Sequence, residues 1–539
     1  MLWTSSPLLE PTSCSASKRD GLYMSHFEES WFYGLKTGIS VVIGDATGVQ
    51  KGRMTSAARQ AEVQEQVVPL LVSKDGGGHP DCPGCKAAHL QRQNAPVPYK
   101  LLGFLGIVIL GNCLPISVLY PFVYFMVKDF HVAKSDEDIG YYAGWLGSSF
   151  MAGRAVTGLV WGRIADKYGR KSAMYLGITS VLVFNTLFGL STNFAMALAT
   201  RFILGSFNGV LGVVKAYASE ICSEEHQAVG MSTVGTAWGL GLIIGPSLGG
   251  FLAQPAEKFP NVFTKGSIFA RFPYLLQALC VSAIAVVALF VIPALPETLH
   301  KHHNTVKDEE SSVDKSQEED QSIWTNWPLM ASTAVYCFWS LHDIAYTETF
   351  SLWSVSPRAY GGLGFTSSNV GAVLGVSGFA MLVAQSLLFP VVARLIGAIR
   401  SCRYAALITI PLLVLYPFFN KIHNSTWTHL IVFSASIMKY VLTVAAMTGS
   451  FMLINNTVKQ RQRGAANGFS VSVVSVFKAI GPAAGGIVFA WAQTRQDAWF
   501  LPGDHLVFFF LNVFAFLTVI STFEPFLPRS ADKLMEEDI

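Results

Sequence analysis

Apolar and polar residues fall in long blocks along this chain, with no short alternating period. From residue 101 onward, apolar runs of about twenty residues are separated by short polar turns, and that is the helix length that crosses a hydrocarbon core. The pattern predicts helices near 101–126, 140–161, 173–191, 194–219, 231–253 and 273–293. Six more are predicted near 328–352, 368–391, 404–420, 429–454, 467–491 and 504–526. A polar break from Pro296 to about Asn326 separates the two sets. It carries Asp308-Glu309-Glu310, Glu318-Glu319-Asp320 and three histidines.

The expected fold class is an all-α membrane protein with twelve transmembrane helices in two six-helix halves. The predicted domain plan is a largely disordered cytoplasmic tail (1–98), a first half (99–294), a central cytoplasmic loop (295–327), a second half (328–527) and a C-terminal cytoplasmic tail (528–539). The tail is glycine-rich and proline-punctuated, and residues 1–53 differ from the stretch that begins at Met54. The first forty residues lack a basic region followed by an apolar one, so no signal peptide is expected. The run from Gly38 to Val49 is too short to span and is broken by Gly44-Asp45.

Composition supports this picture. Of 539 residues, 51% are hydrophobic and 14% charged, where a soluble chain carries roughly a quarter charged residues. A net charge of +3 and the lack of a basic domain argue against nucleic acid. With no soluble segment large enough for a catalytic pocket, an enzyme is not expected. The eight cysteines are scattered, most of them singly in apolar runs, and do not form a disulfide framework. Lys and Arg favour the side that would hold both termini, notably Arg163, Lys167, Arg170 and Lys171 in one turn, which places the termini in the cytoplasm.

That turn, Gly162-Arg-Ile-Ala-Asp-Lys-Tyr-Gly-Arg-Lys171, combines Gly162, Asp166 and Gly169-Arg170-Lys171. Its glycines permit a tight turn, and Asp166 is suited to cap the next helix or to pair with a cation. The alternative is an ordinary basic juxtamembrane turn. An internal repeat links the halves: Gly245-Pro246-Ser-Leu-Gly249-Gly250 recurs as Gly481-Pro482-Ala-Ala-Gly485-Gly486, each in the fifth helix of its half. Gly241, Gly245 and Gly249 form a small-residue ladder that lets another helix approach closely. The second-half counterpart of the charged turn, Arg394 to Arg403, keeps cations but lacks the aspartate.

Ionisable residues inside membrane helices are costly and therefore functional candidates. Arg154, Arg201, Asn208, Lys215, Lys439 and Lys478 fall within apolar spans, as do His342, Asp343 and Glu348. Cations outnumber acids, so a cavity lined this way favours an anionic or zwitterionic small-molecule substrate. The competing explanation for each is structural pairing between helices. Asp343, Glu348 and His342 are the groups able to change protonation as a carrier switches sides. Cys82-Pro-Gly-Cys85 in the tail and His300, His302 and His303 in the central loop offer zinc ligands; exposed, idle side chains are the alternative. No cofactor is expected beyond a regulatory zinc at these motifs.

Several of these stretches carry a family resemblance. The charged turn resembles the loop-2/3 signature of the major facilitator superfamily. Arg201-Phe-Ile-Leu-Gly205 resembles that superfamily's helix-four motif, and Gly235 to Gly250 resembles its antiporter motif. Five further stretches point to a narrower group: Cys-Pro-Gly-Cys, Ile139-Gly-Tyr-Tyr-Ala-Gly144, Lys215-Ala-Tyr-Ala-Ser-Glu220, Pro296-Glu-Thr-Leu-His300 and Ser340-Leu-His-Asp343. With Gln462-Arg-Gly-Ala-Ala-Asn-Gly468 they resemble the plant zinc-induced facilitator-like family, over about residues 80–527. The resemblance implies a proton-coupled exporter in the vacuolar or plasma membrane, working as a monomer within lipid. It implies Arg201 in proton coupling and a chelator such as nicotianamine or a phytosiderophore as cargo, in the service of zinc and iron homeostasis. Potassium or auxin flux is the alternative cargo. A membrane metal sensor with vestigial transport is the alternative class.

Overall fold

The computed structural model describes Cys82 and residues 96–222, 226–264, 266–299, 325–458 and 463–532. Among the described residues the first half contains α1 (Tyr99–Ser117), α2 (Ile139–Tyr168), α3 (Arg170–Ser180), α4 (Phe194–Phe207), α5 (Gln227–Leu252) and α6 (Leu275–Val291). The α3 axis continues through a π turn, Val181–Asn185, and α4 resumes as Val210–Ile221. The second half contains α7 (Trp327–Val355), α8 (Ser367–Val383), α10 (Ser425–Asn456), α11 (Arg463–Gln493) and α12 (Asp504–Ser521). Between α8 and α10, a helical stretch Phe389–Leu415 breaks at Gly397, where φ is 76°. Residues 389–396 thus complete α8, and 398–415 form α9. Ten of the twelve helices are long and apolar enough to span a membrane by composition alone. The remaining two, α2 and α7, have 30 and 29 residues, and polar positions lower their hydropathy.

Side-chain caps fix several helix starts. Asn193, Asn326, Thr366 and Asn424 accept hydrogen bonds from backbone N–H groups in the first turns of α4, α7, α8 and α10, satisfying donors that a helix leaves unpaired. The expected turn at 162–171 is nearly absent. Helix α2 runs to Tyr168 and α3 starts at Arg170, so only Gly169, at φ 101°, changes the chain's direction. The face bearing Gly169 and Gly397 is called the near side below, and the opposite face the far side.

The halves meet where α2 crosses α11 and where α5 crosses α8. Glycine makes both crossings tight. A Cβ at Gly144 would lie 2.9 Å from the Gly486 Cα, and one at Gly250 would lie 2.7 Å from the Gly371 Cα. The repeated Gly-Pro motif serves both crossings. Gly241, Gly245 and Gly249 admit Cys113, Ser117 and Val118 of the α1 end, while the last glycine, Gly250, meets α8. In α11, Gly481 and Gly485 admit α7, and Gly486 meets α2. These crossings lie in the far halves of the helices. With Lys258 Nζ donating to Ser367 Oγ across the same end, the halves are closed together on the far side.

Candidate substrate and coupling site

Helix α7 carries the acids. Asp343 Oδ1 accepts a hydrogen bond from Lys439 Nζ of α10 at 2.6 Å and another from Thr443 Oγ1 at 3.2 Å. Lys439 is fully buried, whereas the Asp343 side chain keeps 25% of its surface. Lys439 Nζ also lies 4.1 Å from the Tyr346 ring centroid, with Tyr440 at 5.8 Å and Trp339 at 6.0 Å. This aromatic cage compensates a buried cation through ring quadrupoles. Asp343 is therefore the exposed end of the pair and Lys439 its buried anchor.

His342 is buried against α12. Its Nδ1 hydrogen-bonds to the Leu511 carbonyl of α12 at 3.0 Å, and its ring stacks on Trp339 at 4.9 Å. Its Nε2 is buried without a partner.

Glu348 is fully buried, and both its carboxyl oxygens lack hydrogen-bond partners. It packs against Gly147 of α2, where a Cβ would lie 2.7 Å from Oε2. Arg201 of α4 acts on it electrostatically from the other half. Arg201 is itself buried. Its Nη1 donates to the Pro115 carbonyl at 2.6 Å, its Nε has no partner, and its guanidinium lies over Phe150 and Phe188 at 5.0 and 5.5 Å.

A second group is cationic. Lys478 of α11 lies within electrostatic range of Arg154 of α2, Lys215 of α4 and Asp343. None of these three cations has an ion-pair partner among the described residues. Lys215 Nζ is 6.0 Å from the Phe451 ring of α10, and Tyr336 lies near Arg154. Among the described residues, the space between the halves thus carries three free cations against one partly exposed carboxylate. Asn208 lies apart from this group: it ends the first segment of α4 and is fully buried, with Nδ2 3.5 Å from the Asn112 carbonyl.

At the near end of the first half a polar network ties α3 and α4 to the segment after α6. Glu297 accepts hydrogen bonds from the backbone N–H groups of Arg170 (3.0 Å) and Lys171 (3.2 Å), capping α3. Arg170 donates to Glu220 Oε1 through Nε (3.2 Å) and Nη2 (3.1 Å), and Thr298 donates to Glu220 Oε2. Tyr217 donates to the Pro296 carbonyl at 2.7 Å. Glu297, which the sequence did not mark as a cap, holds the start of α3. The Asp166 side chain lies outside the described residues, although its backbone is in α2. The partners Glu220 and Glu297 stood in quoted motifs, but only the fold brings them together.

On the far side Lys258 donates to the Gly250 carbonyl and to Ser367 Oγ, bridging the halves. Burial lowers its ammonium pKa to about 8, partly offset by Glu257. Of the proposed zinc ligands, Cys82 is described and buried; Cys85, His300, His302 and His303 lie outside the described residues. Among the described residues no group of three or more His, Cys, Asp or Glu side chains is placed to hold a metal ion.

The profile of the Major Facilitator Superfamily matches residues 105–482. The chain is 50% identical over 477 residues to Protein ZINC INDUCED FACILITATOR-LIKE 1 of Arabidopsis thaliana, covering 86% of this chain and 99% of that protein. It is 47% identical over 470 residues to Protein ZINC INDUCED FACILITATOR 1 of the same plant, covering 84% and 96%. Among solved structures, a D-xylose–proton symporter shares the fold at a TM-score of 0.61 and 13% identity, over 80% of this chain and 98% of the symporter. With twelve helices crossing in pairs around a charged interior, and with these relatives spanning most of its length, the chain is an integral, multi-pass membrane transporter, not an enzyme, and belongs to the zinc-induced facilitator-like family of the major facilitator superfamily.

Proposed function

We propose that this transporter is a proton-coupled antiporter for a small zwitterionic metal chelator, such as nicotianamine or a phytosiderophore. It moves the chelator out of the cytosol across the vacuolar or plasma membrane and so contributes to zinc and iron homeostasis. The observation that carries this reading is the charge pattern of the interior. Arg154, Lys215 and Lys478 have no protein counter-ion among the described residues, and Asp343 is the acid in electrostatic range of Lys478. Unpaired charges in a low-dielectric setting are costly and are best satisfied by a ligand bearing several carboxylates. The exposed edge of Asp343 suits an ammonium group on the same molecule. The zinc-related names of the relatives accord with a chelator as cargo.

Coupling is assigned to Glu348, Asp343, Arg201 and His342, which cluster on α7 and α4. The near side is taken as cytoplasmic, from the basic residues at its turns. Protons and membrane lipid are the remaining partners, and the monomer is the working unit.

The test is uptake into proteoliposomes under an imposed pH gradient, with a panel of nicotianamine, a phytosiderophore, free zinc, potassium and auxin. Gradient-driven accumulation of the chelators alone is expected. Accumulation of potassium or auxin without the chelators would refute the cargo, and equal uptake with and without the gradient would refute coupling.

A further inference from the structure

Glu348 and the glycine facing it from the other half are not explained by substrate binding. The carboxyl is fully buried with both oxygens unpartnered, yet it sits on the surface along which the halves close. It belongs to α7 of the second half, and it is covered by Gly147 of α2 from the first half. The space between them is so small that one methyl group would not fit.

The groups facing it are few. Arg201 of α4 and Tyr120, beyond the α1 end, act on it electrostatically, while Arg201 spends its Nη1 on the Pro115 carbonyl. At this point α2 contributes a glycine, and α11 contributes Pro482 and Gly486, none of which titrates. Asp343, on the same helix, is held by Lys439 and Thr443.

We infer that Glu348 is a proton-operated latch for the far side: the halves close over it only when it carries a proton, and its ionisation opens them. An ionised carboxylate with no donor is the form that a closed, dry interface excludes most strongly. Opening α2 away from α7 gives the same group water. Each closure thus traps one proton taken up from the far side. This inference rests on the antiport reading for its role in transport, but its test is independent of substrate.

The experiment uses purified full-length protein in nanodiscs, with spin labels at Lys134, before α2, and Thr494, after α11, both exposed. Distances are measured by double electron–electron resonance without substrate, across a pH series. The wild-type distance is expected to be short at acid pH and to lengthen as pH rises. Glu348→Gln should hold it short throughout, and Glu348→Asp should keep the pH response. Gly147→Ala, which crowds the closed carboxyl, should lengthen it at every pH. Lys258→Met should leave the pH response in place. A Glu348→Gln protein that still opens with pH, or a response lost in Lys258→Met, would overturn the latch. If Glu348→Gln does not fold, an unchanged distance profile in Gly147→Ala would do the same. A pH-gated distance in a protein that shows no gradient-driven transport would refute antiport and leave the latch standing.

Discussion

The two halves share a backbone device and differ in the charges hung on it. In the first half, Gly169 at φ 101° starts α3, and Glu297, from beyond α6, caps the new helix. In the second half, Gly397 at φ 76° starts α9, and Asp532, from beyond α12, accepts from the Ile399 N–H at 3.0 Å. In each half an acid that follows the sixth helix returns to hold the start of the third. The side chains around the two caps then diverge. Arg170 pairs with the Glu220 carboxylate, whereas Arg403 donates to Thr522 through its hydroxyl (3.1 Å) and carbonyl (2.6 Å) and lies 3.7 Å from the Phe523 ring centroid. The interior diverges in the same manner: the first half supplies Arg154, Arg201 and Lys215, while the second supplies the acids of α7 with Lys439 and Lys478. Symmetry builds the scaffold, and asymmetry of charge gives the cavity a direction.

The largest effect should come from the acidic half. Asp343→Asn is expected to reduce gradient-driven transport at least tenfold and also to destabilise the protein, because breaking a buried ion pair costs about 3–5 kcal/mol. Pairing it with Lys439→Met should restore thermal stability in a detergent melt but not transport. Recovery of transport in the double variant would show that the pair is structural only.

The shared device is tested next. Gly169→Ala and Gly397→Ala each force a left-handed backbone and place a Cβ 2.5 Å from Glu297 Oε2 and 2.6 Å from Asp532 Oδ2, respectively. Each should cost about 1–3 kcal/mol, and the two melting temperatures should fall by similar amounts. A loss confined to one half would break the equivalence.

The smallest effect separates the surroundings of the two caps. Glu220→Gln weakens a half-buried ion pair worth up to about 1 kcal/mol, so the stability difference from wild type should shrink as salt screens the pair. Thr522→Val leaves the carbonyl contact to Arg403 in place and should show no such salt dependence. Matching salt profiles for the two variants would remove the distinction.

Much of this architecture was legible in the sequence, because bilayer thickness imposes a length that hydrophobic runs report directly. Helices α2 and α7 were found despite their polarity, since their flanks were clear. The start of α9 was misplaced by several residues, expected near 404 and observed at 398, because Arg400 and Arg403 read as loop while the fold holds them in helix. The repeated Gly-Pro motif announced close helix approach, but not that its last glycine joins the halves. The candidate charges were legible as exceptions within apolar spans. Their partners were not: Lys439 meets Asp343 across 96 residues, and only the packing of α7 against α10 brings Tyr346, Trp339 and Tyr440 around the ammonium. Asp532 gave no signal either, since only the return of the chain beneath α9 brings it to Gly397.

The central claim is that substrate and protons move in opposite directions through this asymmetric interior. Proteoliposomes loaded with a pH-sensitive dye, and given nicotianamine on the side facing the transporter's near surface, test it most directly. Adding substrate should start a proton flux out of the lumen, and Glu348→Gln should abolish this flux. A substrate-evoked flux of wild-type size in Glu348→Gln, or substrate uptake by the wild type with no accompanying proton movement, would contradict it.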